Sequence, residues 1–406
     1  MSTTLFTNAR KVDAAGEVDG FWMLVDGDRI TATGSTVEAP GRPPVAPPAG
    51  DPSGAGGAGR VPDATVDLAG ARLTPGLVDL HVHGGGGASY DGDADEIARG
   101  LAVHRAHGTT RSLVSLVANP VARLRTSLEA IAELRTRDPL VLGAHLEGPF
   151  LSPARKGAHA LEHLAEPTAE TVHALLDAAP GTVRQVTLAP ELPGGLEAVE
   201  RLVAAGVVVA VGHTEADHDL AVAAFDRGAS LVTHAFNAIA GIGHREPGPV
   251  VAAVSDDRVT IELILDGVHV HPEVVAMMFA SAQGRVALVT DAMAAAGSAD
   301  GDYLLGELAV TVAGGVATLA GTDTIAGSTL TQDAALRRAM DAARQGSVAA
   351  VTALTATPAR AIGVDHEIGL LAPGHLADAV AWTDDWHVSR VWAAGRELVD
   401  GVAVRS

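Results

Sequence analysis

TPGLVDLHVHG, residues 74–84, is an apolar run that ends in two histidines, His81 and His83. Side chains two positions apart on a β-strand point to the same side of that strand. Both imidazoles are therefore expected to face one point at the end of a buried strand. This run predicts the first strand of the main body of the chain, with polar chemistry placed directly at its end.

Seven more short apolar runs follow, and segments with helical spacing separate them. Strands that alternate with helical segments indicate a parallel sheet with crossover helices. Eight such strands predict closure into a (β/α)₈ TIM barrel, an α/β fold. The eight runs are LVDLHVH (77–83), TTRSLVSLV (109–117), LVLGAHLEG (140–148), VRQVTLAPE (183–191), VVVAVGHT (207–214), SLVTHAFN (230–237), VTIELILDG (259–267) and VALVTDAM (286–293).

The two chain ends have a different pattern, of short strands and turns. FWMLVDGDRITATG, near the start, has an Asp-Gly turn between two strand-like runs, which is typical of a hairpin. We predict that residues 1–73 and 366–406 build one small β-sandwich domain and that residues 74–365 form the barrel. A Pro/Gly-rich stretch at about 39–62 is predicted to be a flexible insertion.

Composition narrows the range of partners and cofactors. The chain has 28 basic and 49 acidic residues, a formal net charge of −21, and no basic run, so nucleic acid is not an expected partner. Cysteine is absent, which excludes disulfides and thiolate metal sites. The N-terminus does not resemble a signal peptide, and no uninterrupted apolar stretch reaches the roughly 18 residues of a spanning helix. A cytoplasmic protein with no membrane partner is expected.

Potential metal ligands recur at the ends of the predicted barrel strands. In a closed parallel barrel these ends meet at one mouth, where barrel active sites lie. Imidazole and carboxylate ligands suit Zn²⁺, Fe²⁺, Mn²⁺ or Co²⁺. Six ligands exceed the need of one catalytic ion, so two divalent ions per chain are predicted. The six are His81, His83, Glu147, His213, His234 and Asp291.

The order of these residues, with TPGLVDLHVHG and PGHLADAVAW, resembles the amidohydrolase superfamily. A narrower resemblance, from about Leu73 to the C-terminus, is to the N-acetylglucosamine-6-phosphate deacetylases. It rests on HLEGPFLSPARKGAH (145–159), GHTEAD (212–217), THAFNAIAGIGHREPG (233–248), DGVHV (266–270), VTDAM (289–293) and AGSTLT (326–331).

The resemblance implies roles for individual residues. Glu147, His213 and His234 would hold the metal found throughout the family, and the retained His81 and His83 imply a second one. Asp291 would be the catalytic acid/base and would also touch the second metal. The resemblance further implies a homodimer in which the HREPG loop reaches the neighbouring subunit. Substrate contacts would be made by Ala158, His159, Asn237, Ala238, Ile325, Ala326 and Gly327, and the phosphate would be bound by Arg245 and His269.

The predicted reaction is metal-dependent hydrolysis of the acetamide of N-acetyl-D-glucosamine 6-phosphate, a small phosphorylated amino sugar, to D-glucosamine 6-phosphate and acetate in amino-sugar catabolism. Another N-acetylhexosamine phosphate is an alternative substrate. A second alternative is a cyclic amidase of the same superfamily, although these commonly bridge two metals with a modified lysine. Only Lys11 and Lys156 are available, and neither ends a predicted strand. An inactive scaffold is the non-enzymatic alternative, but no predicted ligand is missing.

Overall fold

The computed structural model describes residues 2–38, 45–47, 61–399 and 401–403. Its backbone divides into two compact units. The first comprises Met1–Val78, Arg105–Thr110 and Gly346–Ser406, and the second comprises Asp79–His104 and Arg111–Gln345. The predicted insertion at 39–62 lies outside the described residues, apart from 45–47 and 61–62. The domain boundaries drawn at residues 73 and 365 stay a prediction.

The first unit contains one sheet of nine strands from both chain ends. Its strands are β1 (Thr3–Asp13), β2 (Gly16–Asp26), β3 (Arg29–Ser35), β4 (Ala64–Asp67), β5 (Arg72–Pro75), β19 (Ala379–Trp382), β20 (Val388–Ala393), β21 (Arg396–Val399) and β22 (Val402–Ala403). The predicted hairpin is β2–β3, which is antiparallel, and β19 joins the C-terminal strands to β5. Buried Phe6, Met23 and Trp392 lie in the core of this unit. The predicted small β domain formed by both chain ends is therefore confirmed. Two helices, α9 (Ser347–Leu354) and α10 (Ala356–Ala361), belong to the same unit.

The eight predicted strand runs form one parallel sheet, in chain order. Its strands are β6 (Leu77–Asp79), β9 (Thr109–Val117), β10 (Val141–Glu147), β11 (Val183–Leu188), β12 (Val208–Val211), β13 (Leu231–Val232), β14 (Thr260–Ile264) and β15 (Val286–Val289). All nine residues of β9 are buried, as expected for a parallel strand covered on both faces. The predicted TIM barrel is confirmed.

The barrel closes just beyond the ends of its first and last strands. The backbone N–H of His83 donates to the carbonyl of Ala292 at 2.7 Å, and that of Asp291 donates to the carbonyl of His81 at 2.8 Å. Val82 and Ala292 form a parallel bridge. The closure therefore brings the two histidines of the first strand beside the aspartate that follows the last one.

Helices follow most of the barrel strands. Capping fixes where some of them begin: the side chain of Thr168 accepts from the N–H of Thr171, and that of Asp217 accepts from the N–H of Leu220. No described helix combines the length and the apolar character needed to cross a membrane. The helices are α1 (Ala94–Ala106), α2 (Val121–Arg137), α3 (Ala169–Ala178), α4 (Gly195–Ala204), α5 (His218–Asp226), α6 (Gly248–Val254), α7 (Pro272–Ser281) and α8 (Gln332–Asp341), with short 3₁₀ turns at Pro153–Arg155 and Leu161–His163.

Two small sheets complete the second unit. A two-stranded hairpin, β7 (Gly84–Gly85) with β8 (Ala88–Ser89), follows the first barrel strand. A three-stranded antiparallel sheet follows the last one, formed by β16 (Gly301–Leu305), β17 (Leu308–Ala313) and β18 (Val316–Leu319). Leu305 and Val310 of this sheet pack with Met293, which lies just beyond β15, and with Ala326. This packing holds β16–β18 close to the carboxyl ends of the barrel strands.

Candidate active site

Each predicted ligand lies at or just beyond the carboxyl end of a barrel strand. Glu147 is the last residue of β10, and the others follow their strands by two to four positions. Three of them have positive φ, with values of 48° for His213, 24° for His234 and 47° for Asp291. This left-handed region is uncommon for residues other than glycine and is concentrated at functional sites. The chain thus turns sharply at these three strand ends and directs the side chains to one place.

A first group of ligand atoms surrounds the histidine pair. His81 Nε2 lies 3.3 Å from Glu147 Oε1 and 3.4 Å from Asp291 Oδ1. His83 Nε2 lies 3.2 Å from Glu147 Oε2 and 3.3 Å from the same Asp291 oxygen. The two imidazole Nε2 atoms are 3.0 Å apart. All four side chains are buried, so four potential ligand atoms converge away from bulk water.

A second group shares the same glutamate. His213 Nε2 and His234 Nε2 lie 3.1 Å and 2.9 Å from Glu147 Oε1, and they are 3.2 Å from each other. Glu147 therefore contacts both groups: Oε1 faces the second pair of imidazoles, and Oε2 faces His83. A carboxylate placed between two sets of imidazoles is suited to bridging two metal ions.

The hydrogen bonds of His213 indicate that a positive charge belongs in this cluster. Its Nδ1 lies 2.8 Å from the carbonyl oxygen of Arg155, which can only accept, so Nδ1 carries a proton. In the neutral ring, Nε2 is then an acceptor that faces a second acceptor, Glu147 Oε1. A cation or an additional proton between these atoms removes the conflict. The donor set fits a divalent metal ion of the kind that imidazole and carboxylate prefer.

Electrostatics point the same way. Burial alone would lower the pKa of His83, but hydrogen bonds to the carboxylates of Asp291 and Glu147 raise it to about 9. Burial would raise the pKa of Asp291, yet the nearby imidazoles of His81 and His83 lower it to about 2. The pKa of Glu147 is also held well below its ordinary value. Both acids are thus ionised at neutral pH, and the cluster attracts positive charge.

His159 lies beside the cluster but has a different hydrogen-bonding role. Its Nδ1 accepts from the backbone N–H of Ala118 at 3.1 Å, so the proton is on Nε2, which faces Glu147 Oε2 at 3.4 Å. Burial lowers the pKa of His159 to about 4 and keeps the ring neutral. A protonated Nε2 cannot coordinate a metal, so His159 is suited to donate a hydrogen bond.

The cluster lies at a cavity of about 350 Å³. His83, Glu147, His213, His234 and Asp291 contribute to its wall. Gly157 lines it at φ 55°, and a Cβ atom there would lie 3.2 Å from the imidazole of His213, so glycine allows this close approach. Other wall residues are Arg155, Phe236, Leu305 and Thr324.

The model of the amidohydrolase family matches residues 72–398.

The chain belongs to the amidohydrolase family.

Among curated relatives, N-acetylgalactosamine-6-phosphate deacetylase of Escherichia coli O157:H7 is 39% identical over 80% of this chain and 87% of its own length. N-acetylglucosamine-6-phosphate deacetylase of Vibrio furnissii is 34% identical over 82% and 85%. A solved structure of a variant of N-acetyl-D-glucosamine-6-phosphate deacetylase from Mycobacterium smegmatis, in complex with N-acetyl-D-glucosamine-6-phosphate, is 41% identical. It covers 99% of this chain and 100% of its own, with a TM-score of 0.88. The predicted resemblance is confirmed.

Most of the predicted substrate contacts of this amidohydrolase line the cavity. They are Ala158, His159, Asn237, Ala238, His269, Ile325 and Gly327. His269 donates from Nδ1 to Asp266 Oδ2 at 2.7 Å; although burial opposes its charge, this carboxylate raises the pKa of His269 above its ordinary value. An imidazole whose positive charge a neighbouring carboxylate favours suits an anionic substrate group.

Two predicted substrate contacts lie elsewhere. Ala326 is fully buried and packs with Met293 and Leu305 instead of lining the cavity. Arg245 is exposed, and its Nη1 lies 2.8 Å from Nε2 of the adjacent His244. Within one chain, the structure does not bring Arg245 to the cavity wall.

The position of Lys156 bears on the cyclic-amidase alternative. Its ammonium donates to the carbonyl oxygens of His159 at 3.1 Å and Gly157 at 3.4 Å. Glu147, not a lysine, lies between the two groups of imidazoles. The arrangement is therefore unlike a site bridged by a modified lysine.

Sequence reasoning did not single out three polar residues around the site, Arg155, Asp79 and Glu262, whereas it did expect a structural role for His145. Arg155 supplies the carbonyl that accepts from His213, and it is one of the residues that line the cavity. Asp79 accepts from the backbone N–H of His81 and from the hydroxyl of Thr290, and burial raises its pKa to about 7. His145 and Glu262 are fully buried near His81. An acidic residue inside an otherwise apolar strand run was the available signal for Asp79 and Glu262.

Proposed function

We propose that this amidohydrolase removes the acetyl group from N-acetyl-D-glucosamine 6-phosphate, giving D-glucosamine 6-phosphate and acetate. The proposal rests on the shared position of Glu147 between two groups of imidazoles at a cavity of small-molecule size. The names of the relatives supply the substrate class. In this proposal the enzyme acts in amino-sugar catabolism, in the cytoplasm.

The proposed metal centre takes two ions. Glu147, His213 and His234 would hold the first, and His81, His83 and Asp291 would hold the second, with Glu147 shared. Divalent metal supplies two things when bound: it lowers the pKa of water from 15.7 to about 7 and polarises the amide carbonyl. The ligand set suits Zn²⁺, Fe²⁺, Mn²⁺ or Co²⁺.

Side chains of the chain itself would carry the proton transfers. Asp291, ionised between two imidazoles, would take a proton from the attacking water and return it to the departing amine. Neutral His159 would donate from Nε2 to an oxygen of the substrate. Asn237, Ala238 and Ile325 would contact the sugar, and His269, whose positive charge Asp266 favours, would bind its phosphate.

Acetate release tests the proposed function. The panel contains N-acetylated glucosamine, galactosamine and mannosamine, each with and without a 6-phosphate. We expect rapid release from N-acetylglucosamine 6-phosphate and slow release from the same sugar without phosphate. No release from any 6-phosphate in the metal-loaded protein would contradict the proposal and favour the inactive scaffold.

N-acetylgalactosamine 6-phosphate is the second candidate substrate, because one relative at 39% identity is named as the deacetylase of that sugar phosphate. The two substrates differ only in the configuration of one hydroxyl group, so the ratio of their kcat/KM values decides between them. A ratio that favours the galacto sugar by tenfold or more, equivalent to about 1.4 kcal/mol, would reassign the substrate.

We also propose a homodimer in which Arg245 binds substrate phosphate in the neighbouring subunit. Its exposed position outside its own cavity is compatible with that role. Arg245→Ala should therefore reduce kcat/KM for the phosphorylated sugar by about 10- to 150-fold, because a charged hydrogen bond contributes roughly 1.5–3 kcal/mol. The unphosphorylated sugar should lose little.

Steady-state kinetics on both sugars measure this difference, and Arg344→Ala is a matched control. Arg344 is also exposed but pairs with Glu273 away from the cavity, so its loss should leave both sugars unaffected. Equal losses on the two sugars in Arg245→Ala would show that this residue does not recognise phosphate. Arg155→Met would then test the arginine that lines the cavity of the same chain.

A further inference from the structure

We propose that Glu262, held by Gln185, positions His81 to bind the second metal ion. The inference rests on the proposed two-ion centre and goes beyond it, because neither residue belongs to the ligand set. Glu262 would act by keeping a proton on His81 Nδ1, which leaves the Nε2 lone pair free to coordinate.

Glu262 is an acidic residue in the barrel interior. It lies on β14 and is fully buried. Its Oε1 accepts from Gln185 Nε2 at 3.0 Å, which fixes the orientation of the group. Its Oε2 has no hydrogen-bond partner among the described residues and lies 3.5 Å from His81 Nδ1. A buried acceptor without a donor is costly, and the nearby ring nitrogen can supply the missing proton.

His81 needs that proton on a particular nitrogen. Its Nε2 faces Glu147 and Asp291, the atoms of the proposed second-ion site, whereas its Nδ1 points to Glu262. A neutral imidazole can coordinate through Nε2 only when Nδ1 carries the hydrogen. A carboxylate at Nδ1 favours that tautomer and orients the ring.

His145, another buried neighbour of His81, does not compete for this contact. The ring of His145 lies edge-on to that of His81, with 4.6 Å between ring centroids. Both of its nitrogens are already engaged, Nδ1 with Ser115 at 2.9 Å and Nε2 with Thr187 at 2.8 Å. Among the residues that the structure describes, Glu262 is therefore placed to receive the Nδ1 proton of His81.

The two proposed ion sites differ in the oxygen that faces Nδ1 of one of their histidines. A backbone carbonyl, that of Arg155, holds Nδ1 of His213 in the first site. A side-chain carboxylate, that of Glu262, lies 3.5 Å from Nδ1 of His81 in the second. Replacing Glu262 should therefore weaken one site and leave the other intact, which a general loss of stability would not do.

Glu262→Gln tests the inference, because the amide has nearly the same shape. When its oxygen accepts from Gln185 Nε2, as Glu262 Oε1 does, its NH₂ group faces a ring nitrogen that must itself donate. Loss of such an outer hydrogen bond typically costs about 10- to 100-fold in metal affinity. Zn²⁺ titration of the chelated protein, followed by metal analysis, should show one ion weakened by that factor and the other unchanged. Thermal unfolding of the metal-free protein should be similar in variant and wild type.

Asp79→Asn is the matched control. It alters another buried carboxyl group of the barrel, one that contacts the backbone N–H of His81 and not its ring. It should leave both ions bound with wild-type affinity. Selective loss of the same ion in this control would overturn the inference, because removal of any nearby acid would then suffice.

Other outcomes separate the inference from the proposed function. A wild-type protein that binds only one Zn²⁺ contradicts the two-ion proposal. Two ions bound equally well by wild type and Glu262→Gln contradict the role of Glu262 alone, as does equal weakening of both ions. If Glu262→Gln does not fold, Gln185→Leu keeps the carboxylate but releases its Oε1. It must then weaken the same single ion, and unchanged binding would overturn the inference.

Discussion

Exhaustive chelation is expected to abolish amide hydrolysis, and added divalent metal is expected to restore it. An amide carbonyl is a poor electrophile and neutral water is a poor nucleophile. Hydrolysis catalysed by the protein side chains alone is therefore expected to be slow. Metal contributes several kcal/mol to stabilisation of the transition state, equivalent to a rate loss of about 10³-fold or more on its removal. The structural reason for this expectation is the convergence of six ligand-type side chains, five of which line one cavity.

Activity and metal content must be measured on the same samples, before chelation, after it and after metal is returned. We expect up to two ions per chain in the active protein. Circular dichroism of the chelated sample checks that the barrel remains folded. Full activity without metal would exclude the proposed chemistry, whereas metal content that never exceeds one ion would exclude only the second site.

The barrel was predictable from sequence because parallel strands covered on both faces read as short continuous apolar runs. All eight runs became strands, but their lengths were less well predicted. SLVTHAFN yields only Leu231–Val232, since His234 has positive φ and ends the extended conformation early. The residues that shorten this strand are the same ones that turn its end into the active site.

Convergence of the ligands was also predictable, because the carboxyl ends of barrel strands meet at one mouth. The positions of the protons on the imidazole rings were not predictable from the sequence. That His159 is a donor follows from a bond to the backbone N–H of Ala118, 41 residues away along the chain. The contact between Glu262 and His81 joins residues even further apart in sequence. Such details depend on register and side-chain orientation, which periodicity does not define.

Arg245 illustrates a different limit. The motif HREPG predicted a phosphate-binding arginine, yet one chain places that side chain at the surface and next to His244. A motif indicates the family role of a residue but does not show where the fold places its side chain. Composition did not predict the phosphate-binding site either, because a net charge of −21 is compatible with one local cationic site.

Asp291→Asn is expected to reduce kcat by about 10² to 10⁴, the usual contribution of a positioned acid/base. Asn has nearly the same shape, so the barrel should fold normally and the proposed ion at Glu147, His213 and His234 should persist. KM should change little, because Asp291 acts on the developing transition state and not on the sugar or phosphate. Steady-state kinetics with metal analysis on the same preparation measure both effects.

A role as proton shuttle must be separated from a role as metal ligand, since Asp291 Oδ1 faces both His81 and His83. If the variant loses one ion, metal titration to saturation should show whether kcat recovers. Recovery to near the wild-type value would mean that Asp291 serves mainly to hold metal. A kcat that stays low with both ions bound assigns the proton transfer to Asp291, because the amide can neither accept nor return a proton.

If metals and kcat are both near normal without added metal, Asp291 is not the shuttle. His159, whose Nε2 proton faces Glu147 beside the same cavity, would then be the next residue to test.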